Sequence, residues 1–276
     1  MPTATARTIP PLGFDPYSGT QGKFPVTQII EMVGAGGFEA LNLYINPGFV
    51  SGEDAQLAEV EAALAKHKVA TPTIHFGIFT LTTPGLEGEV RKHLQTVLKV
   101  ARRLGAQYLG IWPNLPGAHP KTPVVEKSTA QKTLAANLRE ILPQAEAAGL
   151  QVTLEFEKQH TLDNYREGIA FLNEYAPKAR LTCDTYHLNN DKAEPYQAIK
   201  EMAPYLGDVH LSGSHRGEPG TVGDTIDYAA LFRGLQEIRF AGPLLLQYHL
   251  KDVASIATSC AFAKRLREKY LNTENH

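Results

Sequence analysis

Short apolar runs alternate regularly along this sequence with stretches of helical periodicity, and this alternation limits the folds that the chain can adopt. The runs that are typical of buried strands cover residues 9–14, 38–45, 68–79, 106–112, 150–156, 179–185, 207–212 and 243–249. Segments such as 86–105 and 251–270 carry apolar residues at spacings of three and four, which is typical of amphipathic helices. Because strands that alternate with helices pair in parallel through right-handed crossovers, eight such units predict an α/β fold, a single closed (β/α)8 TIM barrel. A doubly wound open sheet is the alternative.

Length and composition agree with one barrel. The chain has 276 residues, of which 43% are hydrophobic and 20% charged, so there is enough apolar material for a large core. A barrel of this type often occupies about 250 residues as one unit. No linker or low-complexity segment divides the sequence, and residues 1–276 are therefore predicted to form a single domain.

Charge indicates which partners to expect, and cysteine content indicates the redox environment. The net charge is −2, from 27 basic and 29 acidic side chains without a basic cluster, so neither nucleic acid nor a membrane surface is expected as a partner. No apolar stretch approaches the ~18 residues of a membrane span, and the first residues lack the apolar core of a signal peptide. Cys183 and Cys260 are not in a CxxC motif. Reduced thiols and a cytoplasmic location are expected.

Polar side chains are concentrated at the ends of the last four predicted strands. They are Glu155 and Glu157, then Asp184 and His187, then His210, His215 and Arg216, and finally Gln247. The carboxyl ends of the strands in such barrels carry the chemistry, and a buried carboxylate is costly unless it is paired or bound to a metal. Two carboxylates, an imidazole and an amide that converge on one mouth suit a divalent cation. We therefore predict one ion held by Glu155, Asp184, His210 and Gln247.

Each residue taken alone also has a simpler explanation. A carboxylate at the end of a strand often caps the next helix, and a buried histidine is more often a hydrogen-bonded core residue than a ligand. Only the joint placement at consecutive strand ends favours the metal. His75 and Trp112, which end the third and fourth predicted strands, would line the pocket, with ordinary barrel packing as the alternative for Trp112.

Three motifs carry a resemblance to a known family. They are VTLEFE at 152–157, TCDTYHLN at 182–189 and DVHLSGSHRGEPGTVGDTIDY at 208–228. They resemble the xylose isomerase-like barrel superfamily, in particular the sugar phosphate isomerase/epimerase group, which includes ketose 3-epimerases, hydroxypyruvate isomerase and inosose-processing enzymes. The resemblance implies that Glu155, Asp184 and His210 bind the metal and that His187 and Arg216 contact the substrate. The ion favoured is Mn²⁺, with Co²⁺, Mg²⁺ and Zn²⁺ as alternatives.

The resemblance implies a divalent-metal-dependent isomerase or epimerase that removes a proton next to the carbonyl of a sugar, keto-sugar or polyol. Glu155 is the expected base, and His187, Glu157 or His215 is the expected second proton carrier. Trp112, Glu157 and His215 join His75, His187 and Arg216 as expected substrate contacts. Resembling enzymes are often dimers or tetramers, which leaves a homo-oligomer open.

Gln247 departs from the family, which usually has a second metal-binding glutamate at the end of the eighth strand. An amide oxygen can bind the ion, but an amide cannot act as a base. A reaction with one principal base, either aldose–ketose isomerisation or a lyase (dehydratase) reaction on a keto-sugar or keto-polyol, is therefore favoured over symmetric 3-epimerisation. Two other classes stay open, namely a non-catalytic sugar-binding barrel and a relative of abasic-site endonucleases. The near-neutral charge counts against the nuclease.

Overall fold

The computed structural model describes residues 9–16, 22–78, 80–115, 117 and 123–272. Within these ranges the strands are β1 (Leu12–Phe14), β2 (Ala40–Leu41), β3 (Leu43–Tyr44), β4 (Thr73–His75), β5 (Tyr108–Ile111), β6 (Gln151–Glu155), β7 (Arg180–Asp184), β8 (Leu206–Leu211) and β9 (Leu244–Leu246). The helices are α1 (Val26–Ala35), α2 (Asp54–His67), α3 (Glu87–Leu104), α4 (Lys127–Ala147), α5 (Tyr165–Tyr175), α6 (Thr185–Asn190), α7 (Pro195–Met202), α8 (Tyr228–Glu237) and α9 (Ser255–Leu271).

The strands form a barrel because the two ends of the sheet belong to one segment of chain. The strand order is β2-β1-β9-β8-β7-β6-β5-β4-β3, and every pairing between neighbours is parallel. Only Asn42 separates β2, which pairs with β1, from β3, which pairs with β4. The predicted strand at 38–45 is thus split where the chain changes partners, and the prediction of a TIM barrel is confirmed.

One predicted strand is much shorter than expected. The prediction covers residues 68–79; of the described residues 68–78, only Thr73–His75 form β4. Lys68 ends α2 in a left-handed conformation with φ 55°, and the ring of Pro72 removes a backbone donor. Beyond the strand, Gly77 has φ 74°, and a Cβ added there would lie 2.2 Å from the Ile45 carbonyl oxygen. This position requires glycine, and the close approach ends the strand next to His75.

Strand alternation creates a polar interior beneath the mouth of the barrel. Glu155, Asp184 and His210 lie near one another, so the residues two positions earlier, Thr153, Thr182 and Asp208, share their face of the sheet. All three of these earlier residues are buried, and the Thr182 hydroxyl donates to Asp208 Oδ1 at 2.6 Å. The intervening apolar residues, such as Leu154, Cys183 and Val209, are also fully buried.

In the described part of the chain, none of the helices combines the length and apolar character needed to cross a bilayer. Cys183 and Cys260 are buried and form no disulfide. The assignment of residues 1–276 to a single domain stays a prediction.

Candidate active site

Three of the four predicted metal ligands form a buried cluster. Glu155, Asp184 and His210 each offer a ligand atom, and these atoms lie within 4.8 Å of one another. The fold produces this cluster directly, because β6, β7 and β8 are consecutive neighbours and Asp184 pairs opposite His210 in the sheet register. The three residues therefore lie together at neighbouring strand ends, and their role as metal ligands stays a prediction.

Two atoms of the cluster are buried without a hydrogen bond, namely Glu155 Oε1 and His210 Nδ1. Glu155 Oε1 lies 3.5 Å from His187 Nε2 and 3.7 Å from His210 Nδ1, and both distances are longer than an ordinary hydrogen bond. An unpartnered carboxylate oxygen and an unpartnered imidazole nitrogen that face each other are the donors a divalent ion takes up. The residues present fit such an ion.

The charges of the cluster shift its titration. Burial alone would raise the pKa of Glu155, but the adjacent His187 and His210 imidazoles outweigh it and hold that pKa well below its usual range. Burial would lower the pKa of His210, yet the Asp208 and Glu155 carboxylates raise it well above its usual value. Glu155 therefore lies between two imidazoles, and His210 between two carboxylates.

Arg216 bridges two of the predicted ligands, Asp184 and Gln247. Its Nη1 pairs with Asp184 Oδ2, and its Nη2 donates to Gln247 Oε1. Asp184 Oδ1 meanwhile accepts from the Tyr186 backbone N–H at 2.7 Å and caps α6. The capping role that was the simpler explanation for Asp184 is therefore present together with its place in the cluster.

The backbone of Arg216 is held in an uncommon conformation. Its φ is 57°, in the left-handed region that residues other than glycine rarely occupy. Its N–H donates to the Gly213 carbonyl and its carbonyl accepts from the His249 N–H, at 2.9 and 2.8 Å. The guanidinium lies 5.0 Å from the centre of the Tyr186 ring. These contacts direct the side chain towards the cluster.

A second group of side chains adjoins Glu155. His187 Nε2 lies 4.0 Å from Glu157 Oε2 as well as 3.5 Å from Glu155 Oε1. Glu157 Oε2 accepts from the Trp112 indole N–H at 2.7 Å, and His160 Nε2 is 3.7 Å away. Trp112 therefore orients Glu157, while His187 lies between the two carboxylates.

His75 is buried and stacks on Tyr44 with the ring centres 4.4 Å apart. Its Nδ1 accepts from the Gly77 N–H at 3.2 Å. Burial lowers the pKa of His75 to about 4, against the opposing influence of the nearby Asp15 and Glu155 carboxylates. The imidazole is therefore neutral at pH 7 and carries its proton on Nε2.

One predicted site residue is not brought into the cluster. His215 is exposed, and its ring lies against its own turn, where a Cβ added at Gly217 would be 2.5 Å from His215 Nε2. Its assignment as a substrate contact stays a prediction.

Sequence reasoning missed three buried polar residues: Asp208, Asp15 and Tyr44. Asp208 Oδ2 is 3.6 Å from His210 Nε2, on the side of the ring away from Glu155, and makes no hydrogen bond of its own. The period of two along a strand could have revealed it, because Asp208 precedes His210 by two residues. Asp15 directly follows β1 and Tyr44 ends β3, so both lie at strand ends, where polar side chains are expected to carry the chemistry.

The fold and this arrangement of strand ends agree with a comparison of the sequence with known families. Residues 30–266 match the family described as xylose isomerase-like TIM barrel. The chain belongs to this family. The motifs that suggested the resemblance lie within the matched range.

Comparisons with curated proteins and with solved structures add three similar proteins. An L-ribulose 3-epimerase of Methylomonas sp. (strain DH-1) is 28% identical over 179 residues, 63% of this chain and 61% of that protein. An L-ribulose 3-epimerase of Mesorhizobium japonicum is 34% identical over 122 residues, 43% of this chain and 40% of that protein. The matches thus span less than two thirds of these relatives. The solved 3-keto-D-glucoside 4-epimerase of E. coli has a TM-score of 0.75 at 19% identity and covers 93% of this chain and 99% of its own. At that identity the structural likeness shows the fold alone.

Proposed function

We propose that this chain is a divalent-metal-dependent enzyme that epimerises or isomerises a sugar or polyol by removing a proton next to a carbonyl. The observation that carries the proposal is the buried pair of unpartnered atoms, Glu155 Oε1 and His210 Nδ1, within a cluster completed by Asp184. The names of the curated relatives, which are 3-epimerases of ketoses, support the same class of reaction.

Glu155, Asp184, His210 and Gln247 would hold the ion, and Mn²⁺ is favoured for this set of oxygen and nitrogen donors. A bound divalent ion supplies Lewis-acid polarisation of the substrate carbonyl, which acidifies the neighbouring C–H. Gln247 would contribute its Oε1, which faces Asp184 across the Arg216 guanidinium.

The side chains around the cluster would transfer protons and bind the substrate. Glu155 accepts the substrate proton, and His187, 3.5 Å from Glu155 Oε1, exchanges a proton with the other face or with a substrate oxygen. Glu157 lies next to His187 and is oriented by Trp112. Arg216 donates to substrate oxygens. Because Glu155 and His187 are buried, their charges act in a medium of low polarity, where they are strongest.

Gln247 favours a second candidate function, a lyase (dehydratase) reaction. Its Nε2 donates to the Tyr44 hydroxyl at 3.2 Å, and its Oε1 accepts from Arg216. The amide of Gln247 cannot serve as a general acid or base. With one carboxylate base at the cluster, elimination of water from a keto-sugar or keto-polyol is the alternative reaction.

Incubation of the Mn²⁺-loaded protein with a panel of non-phosphorylated ketoses and keto-polyols in D₂O tests the proposal. We expect NMR spectra to show deuterium entering the carbon next to the carbonyl and a new sugar appearing, with EDTA-treated protein as the control. An unsaturated or dehydrated product would select the lyase. Sugar binding without exchange, or nicking of an abasic DNA duplex, would contradict the proposal.

Asp208 should strengthen metal binding without being a ligand itself. Its carboxylate faces His210 Nε2 at 3.6 Å, so Asp208→Asn should weaken Mn²⁺ binding by about 10- to 100-fold, as is usual when an outer carboxylate beside a ligand histidine is lost. Titration calorimetry measures the affinity. Thr182→Val, which removes only the hydroxyl bound to Asp208 Oδ1, should have a smaller effect. Unchanged affinity in Asp208→Asn would remove Asp208 from the site.

Arg216 and His187 should serve the substrate and leave metal binding intact. Arg216→Ala should lower kcat/KM by about 10- to 100-fold through the loss of charged hydrogen bonds. His187→Ala should lower kcat by about 10²-fold or more through the loss of proton transfer. Metal content, measured by elemental analysis, should match that of the parent, and Arg233→Ala on the exposed face of α8 is the control. Loss of metal in both variants would contradict their assignment to the substrate.

A further inference from the structure

A buried chain of hydrogen bonds connects Asp15 to the candidate active site. The Tyr44 hydroxyl donates to Asp15 at 3.0 and 3.1 Å, and Asn42 Nδ2 donates to Asp15 Oδ2 at 2.5 Å. Gln247 Nε2 donates to Tyr44 Oη at 3.2 Å, and Gln247 Oε1 accepts from Arg216. Asp15, Asn42, Tyr44 and Gln247 are each almost completely buried.

The direction of each hydrogen bond in this chain is fixed. A carboxylate can only accept, a guanidinium can only donate, and a phenol has one proton. Tyr44 directs its proton to Asp15, so the atom of residue 247 that faces Tyr44 must be a donor. Arg216 faces the other atom, which must be an acceptor. Among side chains of this length, glutamine offers one donor and one acceptor at its end, whereas an ionised glutamate offers only acceptors.

We propose that Asp15 and Tyr44 determine the identity of residue 247, by requiring an amide there and turning its oxygen towards Arg216 and Asp184. We call Asp15, Tyr44 and Gln247 the amide lock. Asp15 and Tyr44 are thus positioning residues that lie outside the predicted ligand set. Because the lock is defined by protein hydrogen bonds alone, it does not depend on the proposed reaction.

A glutamate at position 247 would conflict with the lock. Its second oxygen would face the lone pairs of the Tyr44 oxygen, and Tyr44 could satisfy it only by withdrawing its proton from Asp15. Either way one buried carboxylate oxygen loses a donor, which is costly in a protein interior. Asp15→Asn reverses this conflict, because the amide introduced at position 15 can donate to Tyr44 Oη while its oxygen still accepts from Asn42. Tyr44 is then able to donate to the carboxylate introduced at position 247.

A double-mutant cycle on the full-length chain tests the lock. The apparent melting temperature is measured for the parent, Gln247→Glu, Asp15→Asn and the double variant, in EDTA and in excess Mn²⁺. We expect Gln247→Glu to lower the melting temperature of the parent by about 3 to 10 °C, and to lower that of the Asp15→Asn protein by less than half as much. An equal decrease in both backgrounds would overturn the proposal.

A Tyr44→Phe background separates the lock from simple repulsion between two carboxylates. Without the phenol, the effects of Asp15→Asn and Gln247→Glu should add. If the coupling survives in Tyr44→Phe, charge repulsion explains it and the role of Tyr44 is wrong. Should Gln247→Glu be insoluble by itself, recovery of soluble protein in the double variant supports the lock, and failure of that recovery contradicts it.

Discussion

Replacement of Glu155 by glutamine should lower turnover by about 10²- to 10⁴-fold, because the variant loses the carboxylate that accepts the substrate proton. The substitution keeps the size of the side chain but removes the charge that lies between His187 and His210. It also removes an anionic donor from the candidate metal site, so the loss should exceed that of the other variants. Initial rates of product formation at saturating Mn²⁺ measure the effect on proton transfer.

Glu146→Gln is a suitable control for Glu155→Gln. Glu146 forms an exposed ion pair with Lys178, 2.7 Å away, and such pairs contribute little. Its substitution should leave turnover unchanged. If Glu155→Gln retained turnover within tenfold of the parent at saturating metal, Glu155 would not be the base, and Glu157 or His187 would take its place.

The largest effects on metal binding should come from Asp184→Asn and His210→Ala. Each removes a member of the buried cluster. Each should therefore weaken Mn²⁺ binding by more than about 100-fold, which is the upper end of the effect expected when an outer partner of a ligand is lost. Asparagine at position 184 can still accept from the Tyr186 N–H and cap α6, so folding is preserved while the charge is lost. Calorimetric titration of EDTA-treated protein gives the affinity.

His187→Ala is the matched control for His210→Ala, since both remove a buried imidazole next to Glu155. Only the change at His210 should reduce the affinity for Mn²⁺. If Asp184→Asn and His210→Ala bound Mn²⁺ as tightly as the parent, the cluster would not be a metal site.

The barrel and the cluster could be predicted because both follow from short-range periodicity. Alternating apolar runs located the strands, and parallel pairing then brought Glu155, Asp184 and His210 to neighbouring strand ends. Strand limits were less accurate where a tertiary contact ends the strand, as at Gly77 against Ile45. Asp208 was within reach of the same reasoning, since it lies two residues before His210 on the same strand.

The contacts made across the mouth of the barrel could not be predicted in this way. Tyr44 and Gln247 are 203 positions apart. Tyr44 ends β3 and Gln247 directly follows β9, and these strands are not neighbours, so the hydrogen bond depends on closure of the barrel and on side-chain length. The bridge from Arg216 to Asp184 and Gln247 depends on a left-handed residue in a turn, which no periodicity indicates. Sequence patterns give the strand that carries a residue, whereas hydrogen-bond direction appears only in three dimensions.

Glu155, Asp184 and His210 are expected to bind one divalent ion together. Anomalous diffraction at the manganese edge, from crystals grown with Mn²⁺, tests it most directly. We expect a single strong peak at about 2.0 to 2.5 Å from oxygens of Glu155 and Asp184 and from His210 Nδ1. No peak at the cluster, or a peak held by other side chains while Glu155 Oε1 and His210 Nδ1 remain without a partner, would contradict it.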